Sequence, residues 1–395
     1  MSNDASLAIG IVGAGAMGGG IAQVAAAAGH RVVLGDVDPG AVTRALGVIR
    51  KGLARDVEKK RLDQTAMDAT LARIDDAGDL RASCAAYAGC GLVLEAVRED
   101  LTIKQALFSA LEQVVRDDCI LATNTSSLSV AALGGSVKRP ERVVGIHFFN
   151  PAPVMPLVEI VPAITTDTSV AERARALIAA WGKVPVLTSD TPGFIVNRIA
   201  RPFYGESLRM LEEGIADAAT IDWAMREVGG FRMGPFELMD FIGNDINYAV
   251  TTSVFEAFFY DPRYKPALTQ RRMVEAGLYG RKRGRGYFDY REGATKPAPV
   301  EDSALGRRIV DRVVTMLVNE AAEALHMRVA SAADIEVAMT KGVNYPKGPL
   351  AWGDEIGADQ VLRRLEAMQA EYGEDRYRPS PLLRQRVRDG QPLNA

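Results

Sequence analysis

Histidine and cysteine are both scarce, with three of each in 395 residues. Cys84, Cys90 and Cys119 are odd in number and lack metal-ligand spacing, which argues against a disulfide framework and a cysteine-based metal centre. A reduced, cytoplasmic setting is expected, with no bound metal. Charge of one sign is also missing. A formal net charge of -3 gives no whole-protein reason to bind nucleic acid or an anionic membrane surface. One uncharged run, Leu7 to Gly29, is about as long as a membrane span. Seven glycines interrupt it, and Asp4 is the only charge before it, so neither an anchor nor a signal segment is expected. A strand, a glycine turn and an alanine-rich helix explain the run better. What is present is ordinary for a chain that buries a core in two or three domains, 48% hydrophobic and 25% charged residues.

Short apolar runs alternate with helical patterns through the first half, the mark of βαβ units and a parallel sheet. Expected strands are Ala8 to Val12, Arg31 to Gly35, Leu92 to Val97, Ile120 to Thr123, Val143 to Phe149 and Leu157 to Val161. A helix is expected from Leu101 to Val115, with Ile103, Leu107, Leu111 and Val114 on one face. The charged stretch from Ala45 to Arg73 is too polar for a crossover packed on a sheet and reads as an inserted helical hairpin, about 45–75.

From Asp190 onward the pattern is almost wholly helical, and Asp190-Thr191-Pro192 predicts a capped helix start. Arg291 to Ala304, with Pro297 and Pro299, reads as a linker. The segments on either side of it match in one register. Ile195-Val196-Asn197-Arg198 corresponds to Ile309-Val310-Asp311-Arg312 at an offset of 114, which also carries Glu206 onto Glu320 and Gly234-Pro235 onto Gly348-Pro349. After one deletion, Arg263-Tyr264 meets Arg376-Tyr377. An internal duplication is expected. The domains are then 1–190, a nucleotide-binding α/β domain; 191–290, a helical domain; the linker 291–304; and 305–395, a degenerate second helical copy.

Gly13-Ala14-Gly15-Ala16-Met17-Gly18 is a complete G-x-G-x-x-G between an apolar strand and a helix. Gly13 permits the tight turn, Gly15 lets a pyrophosphate approach the backbone, and Gly18 allows close helix–strand packing. The helix amino end supplies free N–H groups to the phosphates. Asp36 follows 18 residues after Gly18, placed to accept both ribose hydroxyls. The next charge is Asp38, and no arginine lies near in sequence to receive a 2′-phosphate, so NAD is expected over NADP. The fold class expected is α/β, a Rossmann-like doubly wound sheet followed by two repeated all-α domains.

Ligands of such a sheet lie beyond the carboxyl ends of its strands. Glu99, Asn124-Thr125-Ser126-Ser127 and His147 fall there with the glycine loop and Asp36. His30 precedes the second strand and His326 lies in the second helical copy, which leaves His147 as the imidazole on the ligand side. Oxidising an alcohol with NAD requires a group that takes the hydroxyl proton, a task suited to imidazole near neutral pH. Glu159 lies within the next apolar strand, where a carboxylate is costly unless paired, and His147 is its natural partner.

These segments resemble the 3-hydroxyacyl-CoA dehydrogenase family: Gly13 to Gly29, Asn124 to Leu128, His147-Phe148-Phe149-Asn150-Pro151 and Asp190 to Arg198. The resemblance runs through the first 290 residues. The branch acting on 3-hydroxyadipyl-CoA in phenylacetate breakdown is the most similar, through Arg201-Pro202-Phe203-Tyr204, Gly243-Asn244-Asp245-Ile246-Asn247 and Gly342-Val343-Asn344-Tyr345-Pro346. The resemblance implies NAD-dependent oxidation of a (3S)-3-hydroxyacyl-CoA, in β-oxidation or aromatic catabolism, with 3-hydroxyadipyl-CoA or 3-hydroxybutyryl-CoA as substrates. It further implies that His147 is the base with Glu159 as its partner, and that Ser126 and Asn197 hydrogen-bond the reacting oxygen and the substrate carbonyl. Glu99, Lys104, Ser126, Asn150 and Lys282 would help to hold NAD, and Lys59, with Ser126, would meet the CoA substrate.

Gly52 stands where the family often has serine, Pro156 where it often has lysine, and Arg232 where it often has proline. The second copy has Asp311 in place of Asn197 and no nucleotide domain, so a structural role is expected, packed on the first copy as a partner subunit would be in a two-fold dimer. A homodimer of the whole chain is a further expectation. Two other readings stay open here, a dehydrogenase of free small hydroxy acids and a dinucleotide-binding protein without catalysis.

Overall fold

The computed structural model describes residues 7–80 and 83–394, apart from the Asp79 side chain; Asp4 lies outside the described residues. Two compact units divide the chain, Met1–Thr191 and Pro192–Ala395.

In the first unit, short runs of branched residues form strands and the segments between them return as helices. In order these are β1 (Ile9–Val12), α1 (Ala16–Ala27), β2 (Val32–Asp36), α2 (Ala41–Glu58), α3 (Gln64–Ala72), β3 (Ile74–Asp79), β4 (Leu92–Glu95), α4 (Leu101–Glu112), β5 (Ile120–Thr123), α5 (Val130–Gly134), β6 (Val143–Phe148), β7 (Leu157–Pro162), α6 (Thr168–Ala180) and β8 (Val184–Leu187). They make one eight-stranded sheet in the order β3-β2-β1-β4-β5-β6-β7-β8. The strands from β3 to β6 are parallel, β7 runs antiparallel to β6, and β8 is parallel to β7. β1, β4 and β5 are buried along their whole length, as expected of strands covered on both faces. The chain winds outward from β1 to β3 and then restarts at β4, so the switch point lies between β1 and β4, where an open α/β sheet binds its ligand.

Three expectations from sequence are corrected in this unit. The polar hairpin does form, as α2 and α3, but it is also the crossover from β2 to its parallel neighbour β3. A narrow stripe of Val42, Ala45, Ile49 and Leu53, joined by Met67, is enough to pack it into the core despite its charged outer face. On α4, Ile103 is exposed, and the inward face runs through Lys104, Phe108 and Leu111 to Val115. Two strands were also missed, both at sheet edges. β3 carries Asp75, Asp76 and Asp79, and β8 contains Pro185, compositions that edges tolerate and interiors do not.

The second unit is helical: α7 (Val196–Ile199), α8 (Arg201–Glu212), α9 (Ala218–Trp223), α10 (Pro235–Ile242), α11 (Asn244–Ala257), α12 (Leu268–Glu275), α13 (Ser303–His326), α14 (Ala332–Gly342), α15 (Pro349–Ile356), α16 (Ala358–Tyr372) and α17 (Pro381–Asp389). Asp190-Thr191-Pro192 does not open a helix as expected. A turn with positive φ at Gly193 and Phe194 intervenes, and α7 begins at Val196. α13 is capped by Asp302 and buried on all sides from Val313 to Ala324, which makes it the central element, packed on α8, α15 and α17.

That central helix carries buried charge, and each charge has a partner across the unit. Arg198 Nε donates to Glu320 at 2.6 Å, and Arg312 Nε donates to Glu206 at 2.8 Å. The Tyr264 hydroxyl donates to Glu320 and the Tyr377 hydroxyl to Glu206. Asp222 accepts the Phe236 and Glu237 amides that open α10, and Glu336 accepts the Leu350 and Ala351 amides that open α15.

Candidate active site

The glycine loop between β1 and α1 lies at the switch point. Gly13 has φ +104°, and a Cβ there would stand 2.5 Å from the Ala96 carbonyl oxygen. At Gly18 a Cβ would meet the Gly13 carbonyl oxygen at 1.7 Å, so only glycine lets α1 sit this close to the strand. At Gly15 a Cβ would point into open space, and the α1 amides have no side-chain cap. That is an approachable, positively polarised helix start of the kind a pyrophosphate fits. Ala14, Ala16 and Met17 complete the loop.

Asp36 ends β2 beside this loop, with Oδ2 accepting the Ala14 amide at 2.7 Å and Oδ1 the Asp38 amide at 2.9 Å. Its carboxylate is thereby oriented for a ribose diol. The structure brings one arginine into this neighbourhood that sequence proximity did not suggest: Arg44, on α2, is ion-paired to Asp38. Its charge is thus already engaged. Replacing Asp36 with alanine should weaken NAD binding by about 10- to 100-fold, the worth of one to two hydrogen bonds to a charged group. Fluorescence titration with NAD checks this, and unchanged affinity would exclude Asp36 from the site.

A second group sits at the ends of β4 and β5. The Lys104 ammonium is 1% exposed and lies between Glu95, at 2.7 Å, and Glu99, at 3.0 Å. Glu95, which sequence reading passed over, also accepts from the Thr123 hydroxyl and the Val97 amide, each at 2.7 Å. Glu99 accepts from the Thr125 and Ser127 hydroxyls and from the Ser126 amide. Burial pushes the Glu99 carboxyl up, but Lys104 and the Thr125 and Ser127 hydroxyls outweigh it and hold it below the usual range. Lys104, expected to help hold NAD, has its ammonium between these two carboxylates at the ends of β4 and β5.

β6 and β7 carry the imidazole and its carboxylate. His147 and Glu159 are directly paired across the antiparallel ladder, with Nδ1 2.7 Å from Oε2. His147 is 6% exposed and Glu159 is fully buried, so this hydrogen bond offsets the cost of placing a carboxylate in a strand. Since a carboxylate only accepts, the hydrogen on Nδ1 belongs to this bond, which assigns Nε2 the lone pair of the neutral ring. Asn124 Oδ1 accepts the Phe148 amide at 2.8 Å and ties the β5 end to the histidine strand. His30 is buried with Nδ1 at the Leu7 carbonyl, and His326 is exposed at the end of α13.

Asp190, expected to cap its own helix, instead accepts the Val130 and Ala131 amides and the Ser129 hydroxyl. It thus fixes the start of α5 and the loop carrying Ser126. Lys183, half-buried, donates to the Ala152 and Met155 carbonyls and holds the loop that follows Asn150. Neither role has a signal in the chain, because each partner lies far away in sequence. Asn150 is exposed just beyond β6, and Lys59 is exposed at the carboxyl end of α2. Asn197 and Lys282 belong to the second unit. Asn197 is half-buried on α7, and the Lys282 ammonium is 2.6 Å from Asp245 and lies over the Tyr279 ring.

Residues 8–191 match the model of the 3-hydroxyacyl-CoA dehydrogenase NAD binding domain, and residues 193–290 and 309–394 each match that of the 3-hydroxyacyl-CoA dehydrogenase C-terminal domain. The sequence is 40% identical to 3-hydroxyadipyl-CoA dehydrogenase of Escherichia coli K12, over 96% of this chain and 97% of that one. It is 40% identical to 3-hydroxybutyryl-CoA dehydrogenase of Bradyrhizobium diazoefficiens, over 74% of this chain and 97% of the relative. The crystal structure of 3-hydroxybutyryl-CoA dehydrogenase from Escherichia coli K12 superposes with a TM-score of 0.90 at 38% identity, covering 97% of this chain and 98% of that one.

Proposed function

Since the chain belongs to the 3-hydroxyacyl-CoA dehydrogenase family and catalyses NAD-dependent oxidation of a 3-hydroxyacyl-CoA to the 3-oxoacyl-CoA, we propose that His147 is the base of that reaction. The observation that carries this reading is the 2.7 Å contact between His147 and the buried Glu159. NAD supplies the acceptor for the hydride that leaves C3. As the C3–H and O–H bonds break and the C=O bond forms, His147 Nε2 takes the hydroxyl proton, and Glu159 stabilises the resulting imidazolium through Nδ1. The substrate is the (3S) alcohol.

Ser126 hydrogen-bonds the reacting oxygen and Asn197 the substrate carbonyl. Ser126 sits on a loop braced by Glu99 and, through α5, by Asp190, which supports a positioning task. The glycine loop and Asp36 hold the pyrophosphate and ribose of NAD, with Glu99, Lys104, Ser126, Asn150 and Lys282 completing its site. Lys59, exposed at a helix end, meets the phosphate end of CoA with a mobile point charge. No helix among the described residues is long and apolar enough to cross a membrane, and the reading of a cytoplasmic setting rests instead on the three free cysteines.

The helical unit is two copies of one domain, 191–290 and 305–395 about the linker 291–304, after a nucleotide-binding domain ending near residue 190. Three observations support this. One family model fits both segments, the Arg198–Glu320 and Arg312–Glu206 pairs are reciprocal at the offset of 114, and Asp222 and Glu336 cap equivalent helices at that same offset. Reciprocity of this kind is what an isologous two-fold interface produces. The second copy therefore replaces a partner subunit's domain.

Initial rates of NADH formation test the function. A 3-hydroxyacyl-CoA should be oxidised at least about 100-fold more efficiently than its free acid, because the CoA part contributes binding energy to the reacting centre. Equal rates would favour a free hydroxy acid as substrate, and NAD binding without turnover of any thioester would remove catalysis altogether.

A further inference from the structure

Three stretches far apart in the chain, Arg201 to Tyr204, Gly243 to Asn247 and Gly342 to Pro346, supply side chains to one cluster around a guanidinium. Arg201 is 6% exposed. Its Nε donates to the Asn197 carbonyl at 2.8 Å, its Nη1 donates to the Thr251 hydroxyl at 3.0 Å, and its guanidinium lies over the Tyr204 ring. Gln270 holds this arrangement from behind, donating to Asn247 Oδ1 at 2.6 Å and to Thr251 at 3.2 Å.

What the cluster lacks among the described residues is a carboxylate for Arg201. The other two buried arginines of this unit, Arg198 and Arg376, each face a glutamate. Only Tyr204 and Tyr345 are near enough to Arg201 to favour its charge, while burial opposes that charge and pushes its pKa down. A guanidinium does not shed its proton in a protein, and two hydrogen bonds and one aromatic face leave its charge without a counter-ion. The Tyr345 hydroxyl is likewise buried, without a hydrogen-bond partner. Arg201 lines a cleft with Tyr204, Lys265, Gln270, Arg263 and Arg376, and no acidic residue takes part.

The position relative to the substrate follows from the helix. Arg201 is four residues beyond Asn197, one turn of about 5.4 Å, a gap that a few carbon–carbon bonds of about 1.5 Å each can span. We infer that Arg201, with the Tyr345 hydroxyl beside it, receives a carboxylate at the far end of the acyl chain and selects dicarboxylic over methyl-ended 3-hydroxyacyl-CoA substrates. This rests on the proposed role of Asn197 as a substrate ligand. Arg201 is then a specificity residue, and the second helical copy contributes Tyr345 to the selection.

The test compares kcat/KM for 3-hydroxyadipyl-CoA and 3-hydroxyhexanoyl-CoA, which have equal length and differ at the chain end. The wild-type enzyme should prefer the adipyl substrate by at least about 10-fold. Arg201→Met should lower the ratio of the two by about 30- to 1,000-fold, as expected when one partner of a buried charge pair is removed. Tyr345→Phe should lower it several-fold, mainly through KM. Should Arg201→Met fail to fold, inhibition of the wild-type enzyme by adipyl-CoA against hexanoyl-CoA reads the same preference. Equal use of both substrates by the wild type, or equal losses on both in the variants, would overturn the inference and leave the dehydrogenase assignment intact. No oxidation of either thioester would instead count against the reading of the whole site.

Discussion

Glu320→Ala is expected to destabilise the helical unit by about 3–5 kcal/mol, the cost of removing one member of a buried ion pair while the other stays buried. The residue abandoned is Arg198, 2.6 Å from Glu320 and almost wholly inside, and the Tyr264 hydroxyl loses its acceptor with it. Glu206→Ala should also be destabilising at the other end, because it leaves the buried Arg376 without its carboxylate and the Tyr377 hydroxyl without its acceptor, while Arg312 keeps Glu213. Glu275→Ala serves as the contrast. Its partner Arg271 is exposed on α12, and a solvated pair of that kind contributes little to stability, so this variant should unfold close to the wild type. Urea unfolding followed by far-UV circular dichroism measures all three. A small effect at Glu320 beside a large one at Glu206 would show that the two ends are unequal, and the proposed two-fold relation would be lost.

His147→Gln should lower kcat by about 10²- to 10⁴-fold, the usual share of a positioned general base. Glutamine approximates the size of the ring and can still donate to Glu159, so the fold and the NAD site should be retained. What disappears is the basic nitrogen. Glu159→Gln should have a smaller effect, about 10- to 100-fold, because the imidazole remains and loses only the charge that stabilises its cation. The order of the two losses discriminates between a base with its orienting partner and a pair that only holds two strands together. In the second case both variants would lose stability before they lost rate.

Much of the first unit was legible because its signals are local. The run Ile9 to Val12 before three spaced glycines, and Asp36 at the end of the next strand, encode the turn, the helix start and the ribose contact within 28 residues. The pairing of His147 with Glu159 could be anticipated because a carboxylate in an apolar strand needs a partner, and the chain offers few. The edge strands β3 and β8 escaped notice because edge positions relax the apolar pattern by which strands are recognised. The phase of α4 was misjudged because a buried lysine defines its inward face, and only the tertiary partners Glu95 and Glu99 make Lys104 an interior residue.

Asp190 shows a further limit. Its neighbours Thr191 and Pro192 make a sound local helix start, yet the carboxylate serves the amides of α5, some sixty residues earlier. Local propensity lost to a long-range acceptor site, as it often does where loops are braced for function. The helical unit followed a different logic. Its offset of 114 was visible in the chain, but the exchange of Arg198 and Arg312 between Glu320 and Glu206 appears only when the helices are packed.

Chemical rescue of His147→Gly tests the proton transfer most directly. The variant should bind NAD, reduce it at no more than about one-hundredth of the wild-type rate with a 3-hydroxyacyl-CoA, and recover activity saturably when free imidazole is added. A folded variant that reduced NAD at the wild-type rate with no imidazole present would contradict the account.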